Sequence, residues 1–278
     1  MSNGDSSGRI VVVTGAAGGI GAAIAARFAA EDRVVSLWDR DPAVHETAAA
    51  LTTETTRYVN GNSAVATVSA AVHGVTVDIT DADSVRAAFD RLTAEHGTVE
   101  VLVHAAGVMV GGTPLELDVA DWTRSLTVNA TGTMLVTQRA AADMAAAGGG
   151  SIVVVSSNAA TAPRVGMPAY GAAKAAATAF TRSLALQVAP LGVRVNVVSP
   201  GSTDTAMLRD MFGGDPLDEA ARTALLDGDP AAFRLGIPLR RIAAPADIAS
   251  AVHFLASDGA RHITMHDLRV DGGATLDM

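Results

Sequence analysis

The sequence contains no cysteine, which excludes disulfides, zinc–thiolate sites and thiolate nucleophiles. Positive charge is scarce as well, because 29 acidic residues outnumber 20 basic ones and give a net charge of -9. Nucleic acids and anionic membranes bind to basic faces, so neither is an expected partner. No apolar run approaches the roughly 20 residues of a membrane span, and residues 1–8 lack an apolar signal core. We therefore expect a soluble, cytoplasmic protein.

The chain has 278 residues and is 49% hydrophobic, enough for one large domain or two small ones. Short β-branched runs alternate with Ala- and Leu-rich stretches of helical spacing. This pattern predicts a single α/β domain over 9–278, a doubly wound Rossmann-type fold with a parallel sheet of about seven strands and helices on both faces. Strands are predicted at 9–14, 34–38, 74–77, 99–104, 151–156 and 193–198. Helices are predicted at 19–30, from about residue 42, and at 82–96, 120–147, 168–189 and 246–256.

Three segments fit this alternation poorly. Residues 1–8 are predicted to form a flexible tail. Residues 52–73 are longer than a usual helix-to-strand connection and indicate an insertion, such as an extra hairpin. Residues 205–236 are interrupted by Gly, Asp and Pro and carry Met and Phe, which favours a substrate lid over a core helix.

A glycine-rich turn follows the first predicted strand and opens the first predicted helix. Its sequence, TGAAGGIG from Thr14 to Gly21, allows a tight turn and a close approach of backbone to a pyrophosphate. The helix N-terminus adds unpaired N–H groups. A plain tight turn is the alternative, but the strand–turn–helix context favours dinucleotide binding. The predicted contacts in this turn are Gly15, Gly19, Ile20 and Gly21.

Two acidic residues after strand ends are candidates for the adenosine half of a dinucleotide. Asp39 ends the second predicted strand, where a carboxylate accepts hydrogen bonds from both ribose hydroxyls and repels a 2′-phosphate. This favours NAD over NADP, although Arg40 beside it could attract such a phosphate. Asp78, with Ile79, follows the third strand and is expected to reach the adenine, with helix N-capping as its equal alternative.

The most informative pair is Tyr170 and Lys174. Lys174 is the only lysine in the chain, and it follows one of only two tyrosines by four residues, so both lie on one helix face. A free tyrosine has a pKa of about 10, and a neighbouring ammonium lowers it. We therefore expect the lysine, the positive nicotinamide ring of a bound cofactor and local hydrogen bonds to lower the pKa of Tyr170 together towards neutrality, so that its phenol acts as an acid/base group. A solvated surface pair is the alternative.

Two further polar residues are candidates for the same site. Ser157 follows a predicted strand at the edge where ligands meet open α/β sheets, and its hydroxyl could orient a reacting oxygen. Ser156 is its rival, and turn formation is the plain alternative. Asn129 lies in an apolar helical stretch, where a buried amide needs partners. It either holds a water beside Lys174 or only satisfies the core.

With Ser199-Pro-Gly201, these residues resemble the short-chain dehydrogenase/reductase family over nearly the whole chain. The resemblance implies a catalytic tetrad of Asn129, Ser157, Tyr170 and Lys174. In that tetrad Tyr170 is the acid/base, Lys174 binds the nicotinamide ribose and Asn129 anchors a proton-relay water. It also implies a homotetramer and NAD contacts from Ala106, Gly107, Tyr170, Lys174, Pro200, Gly201, Thr203 and Thr205. The family's usual Asn-Asn-Ala-Gly is His104-Ala-Ala-Gly107 here, which we expect to alter hydrogen bonding beside the adenine ribose.

A narrower resemblance concerns the segments 163–167, 199–205, 235–239, 262–266 and 270–275. They are similar to the branch of the family that makes the catechol acid of siderophores. This implies NAD-dependent oxidation of a cyclohexadiene carbinol acid, 2,3-dihydro-2,3-dihydroxybenzoate, to 2,3-dihydroxybenzoate. One alternative is the same chemistry on 2,3-dihydro-3-hydroxyanthranilate. Others are a non-catalytic NAD-binding sensor or scaffold, and an NADPH-dependent ketoacyl reductase, against which Asp39 argues.

A carboxylic acid substrate needs a cationic partner, and arginine offers a fork that matches a carboxylate. Arg164 lies between Ser157 and Tyr170 and is the predicted partner; a solvated arginine is the plain alternative. Other arginines that could serve are Arg139 and Arg209. Methionines expected to line the ring pocket are Met109 and Met167, with Met207 and Met211. His262 and His266 have the spacing of a metal pair but lack a third ligand, so we expect no metal.

Overall fold

A computed structural model describes residues 9–31, 33–52, 54–59, 64–69, 71–214 and 216–276. The strands are β1 (Arg9–Thr14), β2 (Arg33–Asp39), β3 (Glu54–Val59), β4 (Ala64–Ser69), β5 (Ala71–Thr76), β6 (Val99–His104), β7 (Gly150–Val155), β8 (Val193–Pro200), β9 (Gly228–Asp229), β10 (Arg234–Leu235) and β11 (Asp267–Val270). The α-helices are α1 (Gly19–Ala29), α2 (Val44–Leu51), α3 (Ala82–His96), α4 (Val119–Leu126), α5 (Gly132–Ala147), α6 (Pro168–Val188), α7 (Ala206–Asp210), α8 (Glu219–Asp227) and α9 (Pro245–Ala256).

Seven strands form one parallel sheet in the order β11-β8-β7-β6-β1-β2-β5. The chain runs outwards from β1 to β5, returns to the other side of β1 and continues to β11. The strand order therefore reverses between β1 and β6, and such a switch point leaves a crevice at the carboxyl ends of the strands. The predicted doubly wound fold with about seven strands is confirmed.

Two apolar cores lie on opposite faces of the sheet, because successive strand residues point to opposite sides. Ile10 and Val12 face a core with α3, α5 and α6, whereas Val11 and Val13 face a core with α1, α2 and α9. Burial on both faces explains why β1 is an uninterrupted β-branched run. The helices thus fix the strands from both sides and hold their carboxyl ends in place.

The predicted helix over 120–147 is interrupted, which is a correction. A π-helical turn at Thr127–Thr131 separates α4 from α5. The side chain of Asn129 donates from Nδ2 to the Ser125 carbonyl, four residues back, at 3.1 Å, so a side-chain amide engages a carbonyl that normally serves the helix backbone. The third predicted strand also shifts, because β5 begins at Ala71 rather than at residue 74. Its polar His73 and small Gly74 had obscured the strand pattern.

Two segments that fit the predicted alternation poorly, 52–73 and 205–236, contain strands or helices outside the main sheet. In the 52–73 segment, β3 and β4 pair in antiparallel register outside the main sheet; residues 53, 60–63 and 70 lie outside the described part, as does the 1–8 tail. The 205–236 segment contains α7, α8 and a short hairpin of β9 and β10. The insertion and lid interpretations stay predictions. No helix of the described residues is long and apolar enough to cross a membrane.

Candidate active site

Two adjoining cavities occupy the crevice at the carboxyl edge of the sheet. One, of about 310 Å³, lies along the glycine turn, and the other, of about 390 Å³, lies against Tyr170 and Lys174. Residues that line both are Ile20, Ala105, Gly107, Thr205 and Met207. The arrangement places a long binding crevice beside a separate chamber that holds the polar groups.

The glycine turn forms a cradle that a larger side chain would fill. A Cβ on Gly15, whose φ is +68°, would lie 2.7 Å from the Ala106 backbone nitrogen. A Cβ on Gly21 would lie 2.0 Å from the Gly15 carbonyl oxygen, so α1 packs directly on the turn. No side chain caps the N-terminus of α1. This backbone fits the pyrophosphate of a dinucleotide, since the N–H groups of the first helical turn remain available to an anion.

Asp39 and Asp78 both line the 310 Å³ cavity, together with Arg40 and Ile79. The Asp39 carboxylate accepts hydrogen bonds from the backbone N–H of Ala17 at 3.1 Å and of Asp41 at 3.0 Å, which fixes it at the end of β2. The structure thus places Asp39, the residue predicted to bind the adenosine ribose, in the crevice and away from Tyr170.

Asp78 accepts hydrogen bonds from the hydroxyl and the backbone N–H of Thr80, at 2.7 and 2.8 Å, and these bonds lower the pKa of its carboxyl. The N-cap of α3 is Asp81, so helix capping is not the role of Asp78. The carboxylate instead closes a local turn at the edge of the cavity.

Tyr170 and Lys174 lie one turn apart on α6, and both are buried. The Lys174 ammonium lies 5.8 Å from the centre of the Tyr170 ring and donates to the Val155 carbonyl oxygen at 3.0 Å. The solvated surface pair is therefore not what the structure contains. Since Val155 ends β7, the lysine is anchored to the carboxyl edge of the sheet.

In the protein by itself the pKa of Tyr170 is raised, whereas the expected fall includes the charge of a bound nicotinamide ring and stays a prediction. Burial raises the pKa of Tyr170 to about 12, and a side-chain hydrogen bond with Ser157 opposes this rise. Burial also lowers the pKa of Lys174 to about 8. Removing water disfavours the charged form of both groups, and the ammonium is directed at a carbonyl rather than at the phenol. Ionising this phenol near neutrality requires further positive charge.

The structure separates the two candidate serines. The Ser156 hydroxyl is buried against Thr178, with the two hydroxyl oxygens 2.8 Å apart beneath α6. The Ser157 hydroxyl accepts a hydrogen bond from the Ala159 N–H at 3.1 Å and lines the chamber with Tyr170. Both serines line the chamber, but the Ser156 hydroxyl is engaged with Thr178 and that of Ser157 hydrogen-bonds with Tyr170, so Ser157 is the serine placed to contact a ligand beside the phenol.

Asn129, in the π-helical turn, is fully buried behind Gly107, which lines the chamber. Its Oδ1 accepts from the Val108 N–H at 3.1 Å, and its Nδ2 donates to the Val108 carbonyl at 2.9 Å. A Cβ on Gly107 would lie 2.8 Å from Asn129 Oδ1 and 3.3 Å from Lys174 Nζ. Asn129 thus satisfies the core and positions the loop after β6 against Lys174. A relay water on Asn129 stays a prediction.

His104 replaces the family's asparagine and is buried at the end of β6. Thr14 Oγ1 lies 3.0 Å from His104 Nδ1 and accepts from the N–H groups of Ala105 and Ala106, each at 3.2 Å. These two N–H groups occupy both lone pairs of the hydroxyl oxygen, so Thr14 donates its one proton to Nδ1. Burial first, and then the charge of Lys174, lower the pKa of His104 to about 3, so this histidine is neutral. It supports the base of the glycine turn, a role that the sequence did not indicate.

The end of β8 supplies the remaining predicted cofactor contacts. Thr205 caps α7 and lines both cavities, whereas Pro200, Gly201 and Thr203 line the chamber. A Cβ on Gly201 would lie 2.6 Å from Asp271 Cβ, so the close packing of β8 against the C-terminal segment explains this glycine.

The chamber also receives the predicted substrate residues Arg164, Met109 and Met167, together with Met207 and Met211. The alternative arginines are engaged elsewhere. Arg139 forms ion pairs with Asp90 at 2.8 Å and Asp143 at 2.9 Å, and Arg209 forms one with Asp204 at 2.8 Å.

Sequence reasoning missed Arg234, a second guanidinium that lines this chamber. Its only signal was a basic residue between Gly228 and Gly236 in the predicted lid.

Comparison with known proteins assigns the fold and the site to a family. A family model described as Enoyl-(Acyl carrier protein) reductase matches residues 15–275. A 2,3-dihydro-2,3-dihydroxybenzoate dehydrogenase from Bacillus subtilis is 38% identical, over 97% of this chain and 97% of its own. The chain belongs to the short-chain dehydrogenase/reductase family. It is therefore an oxidoreductase, as its residues indicated.

Further relatives of the family support this assignment. A vibriobactin-specific 2,3-dihydro-2,3-dihydroxybenzoate dehydrogenase from Vibrio cholerae is 43% identical over 72% of this chain and 75% of its own. A solved structure, the ligand-free aldohexose dehydrogenase of Thermoplasma acidophilum, superposes with a TM-score of 0.79 at 31% identity and covers 98% of this chain and 95% of its own. The short-chain dehydrogenase fold thus accounts for nearly the whole chain.

Proposed function

We propose that the protein oxidises 2,3-dihydro-2,3-dihydroxybenzoate to 2,3-dihydroxybenzoate with NAD⁺. One observation carries the proposal. Ser157, Tyr170 and Lys174 line one chamber together with Arg164, and the adjoining crevice is lined by Asp39. The first three groups suit proton transfer at a carbinol oxygen. Arg164 suits a carboxylate on the same substrate. The names of the relatives from Bacillus subtilis and Vibrio cholerae support this substrate.

Tyr170 removes the proton of the ring hydroxyl, while Ser157 donates a hydrogen bond to the same oxygen. Lys174 binds the nicotinamide ribose and keeps a positive charge beside the phenol. When bound, NAD⁺ supplies the hydride acceptor and a further positive charge near Tyr170. The alcohol carbon loses its hydrogen as hydride and its oxygen loses a proton, which leaves a ketone. Tautomerisation of this ketone to the aromatic ring favours the forward direction.

The proposed cofactor is NAD⁺ rather than NADP⁺. The Asp39 carboxylate is held by two backbone N–H groups at the end of β2, where a 2′-phosphate would meet its negative charge. The proposal includes a relay water on Asn129, a lid over 205–236, a cytoplasmic location and a homotetramer. Light scattering coupled to gel filtration tests the tetramer.

Turnover by the purified protein tests the activity directly. We expect reduction of NAD⁺, followed by its absorbance, when the protein is mixed with 2,3-dihydro-2,3-dihydroxybenzoate. A parallel assay with 2,3-dihydro-3-hydroxyanthranilate tests the amino counterpart, and an assay with NADP⁺ tests the cofactor. Absence of turnover with both acids would refute the proposed activity. Faster turnover of 2,3-dihydro-3-hydroxyanthranilate would make that compound the substrate.

A further inference from the structure

Two guanidinium groups converge on the chamber from different parts of the chain. Arg164 comes from the loop before α6, and Arg234 comes from β10. Both are half-buried, and both line the cavity that Tyr170 lines. Among the residues that the structure describes, neither arginine forms an ion pair within 4 Å. The hydrogen bond of Arg234 in this region is a long one, from Nη2 to Ser202 Oγ at 3.4 Å.

The chamber therefore carries positive charge that the described protein groups do not compensate by contact. Burial lowers the pKa of both guanidinium groups, and the charge of Arg164 lowers that of Arg234 further, whereas Asp271 opposes the effect on Arg164 and Asp229 opposes that on Arg234. The nearby carboxylates act on these arginines from beyond ion-pair distance, and their oxygens accept hydrogen bonds from other groups. Asp229 accepts from the N–H groups of Ala231 and Ala232.

The other carboxylate close to this pair is Asp271, which accepts from the Asn158 amide at 3.2 Å and the Gly273 N–H at 3.0 Å. Lys174 adds a third cation to the chamber lining. Half-buried charges of one sign are stabilised when a ligand of opposite charge joins them.

The backbone presents Arg234 in a defined way. Arg234 pairs with Asp229 across the two-stranded hairpin of β9 and β10. The residue before it, Phe233, has a φ of +53°, a conformation that is uncommon for a bulky side chain. A Cβ on Gly228 would lie 2.4 Å from the Arg234 carbonyl oxygen, so the hairpin is closed tightly at its base. A tight turn thus fixes where the arginine enters the chamber.

We propose that Arg234 joins Arg164 in binding the substrate carboxylate and selects an acid over an uncharged ring alcohol. This inference rests on the proposed function, since it names a specificity-determining residue of that same site. A carboxylate accepts about four hydrogen bonds, enough for two guanidinium groups. Arg164 belongs to the loop next to the catalytic residues, whereas Arg234 belongs to the 205–236 segment. The bound carboxylate therefore connects this segment to the catalytic side of the chamber.

Calorimetry with an acid and its neutral ester tests the inference. 2,3-Dihydroxybenzoate and its methyl ester are titrated into NAD⁺-saturated wild-type protein and into Arg234→Gln, Arg234→Lys and Arg222→Gln. Loss of a charge-assisted contact is expected to weaken acid binding by Arg234→Gln about 10- to 100-fold, with little change for the ester. The lysine variant, which keeps the charge but lacks the fork, should recover part of the loss. Arg222, an exposed arginine on α8, is the matched control and should change nothing.

Two results would overturn the inference. One is acid binding by Arg234→Gln that equals wild type. The other is equal loss for acid and ester, since that indicates a damaged fold rather than a lost charge contact. An unchanged melting temperature and unchanged NAD⁺ affinity of the variant establish that the chain is folded.

The inference and the proposed function can fail separately. If wild-type protein binds the acid through Arg234 but reduces no NAD⁺ with either dihydro acid, the proposed function fails alone. If wild type oxidises the dihydrodiol acid and Arg234→Gln keeps the same kcat/KM, the inference fails alone. A wild type that binds acid no more tightly than ester refutes the carboxylate site whatever its turnover.

Discussion

The Lys174 ammonium donates to the Val155 carbonyl oxygen at 3.0 Å, while the centre of the Tyr170 ring lies 5.8 Å away. The lysine is thus fixed by the end of β7, and its ammonium is held by the strand rather than by a hydrogen bond to the phenol. Burial prevails in the protein by itself, raising the pKa of Tyr170 to about 12 and lowering that of Lys174 to about 8. The consequences for titration, stability and turnover can be measured separately.

Lys174 should titrate near pH 8 in the folded protein, because burial disfavours its ammonium. The chain has one lysine, so selective ¹³C-lysine labelling gives a single side-chain resonance to follow against pH. In urea the same resonance should titrate at about 10.4, the value of a solvated lysine. A folded-state midpoint close to the unfolded one would contradict the burial argument.

Stability should rise with pH between about 8 and 10, and Lys174 should be responsible. The folded pKa of Lys174 lies below its unfolded value, so across this window the unfolded chain binds more protons than the folded one. Each pH unit then adds at most about 1.4 kcal/mol to the free energy of unfolding. Urea unfolding of wild type and Lys174→Met at several pH values measures this slope. A slope that persists in the variant must come from another group.

Replacing the phenol should separate binding from turnover. Tyr170→Phe keeps the ring but removes the acid/base hydroxyl, so we expect turnover to fall by roughly 10²- to 10⁴-fold. NAD⁺ affinity, measured by calorimetry, should stay within a few-fold of wild type. Tyr58→Phe, at the only other tyrosine, is the matched control and should leave turnover unchanged. Wild-type turnover by Tyr170→Phe would remove the phenol from the mechanism.

Cofactor choice should depend on Asp39. Asp39→Ala removes a carboxylate that lines the crevice and repels a 2′-phosphate, so NAD⁺ binding should weaken and NADP⁺ binding should improve. The ratio of the two dissociation constants should move towards NADP⁺ by about tenfold, equivalent to roughly 1.4 kcal/mol. Asp41→Asn, which removes a neighbouring charge but keeps an oxygen for the Ala43 N–H, should not alter the ratio. An unchanged ratio in Asp39→Ala would exclude Asp39 from the ribose site.

The sequence predicted the parts of this molecule that depend on local patterns. The β-branched run of β1 ends at glycines, and the spacing of Tyr170 and Lys174 places them on one helix face. The rise in the pKa of Tyr170 in the protein by itself was not predicted, because desolvation depends on how α6 packs against the sheet, which spacing does not describe. The role of His104 depends on the hydroxyl of Thr14, its partner on the neighbouring strand β1, 90 residues away in the chain.

Two further features of the site lay outside local patterns for different reasons. The π-helical turn at Asn129 occurs together with a side-chain hydrogen bond to the Ser125 carbonyl, which has no signature in hydrophobic periodicity. Arg234 enters the chamber only because a tight hairpin reverses the chain beside it. Side-chain partners that are set by tertiary contacts therefore had to come from the structure.

A single methyl group at Gly107 should disable the site while leaving the fold in place. The Cβ of Gly107→Ala would lie 2.8 Å from Asn129 Oδ1 and 3.3 Å from Lys174 Nζ, so one of these side chains must move. Misplacing a catalytic group by about 1 Å can cost 100-fold in rate, and we expect a loss of that order in kcat. Gly111→Ala is the matched control, because its Cβ would meet no atom closer than the Gly166 carbonyl oxygen at 4.0 Å. Both variants should melt within a few degrees of wild type, and full activity in Gly107→Ala would mean that the contact between this loop and Lys174 has no role in turnover.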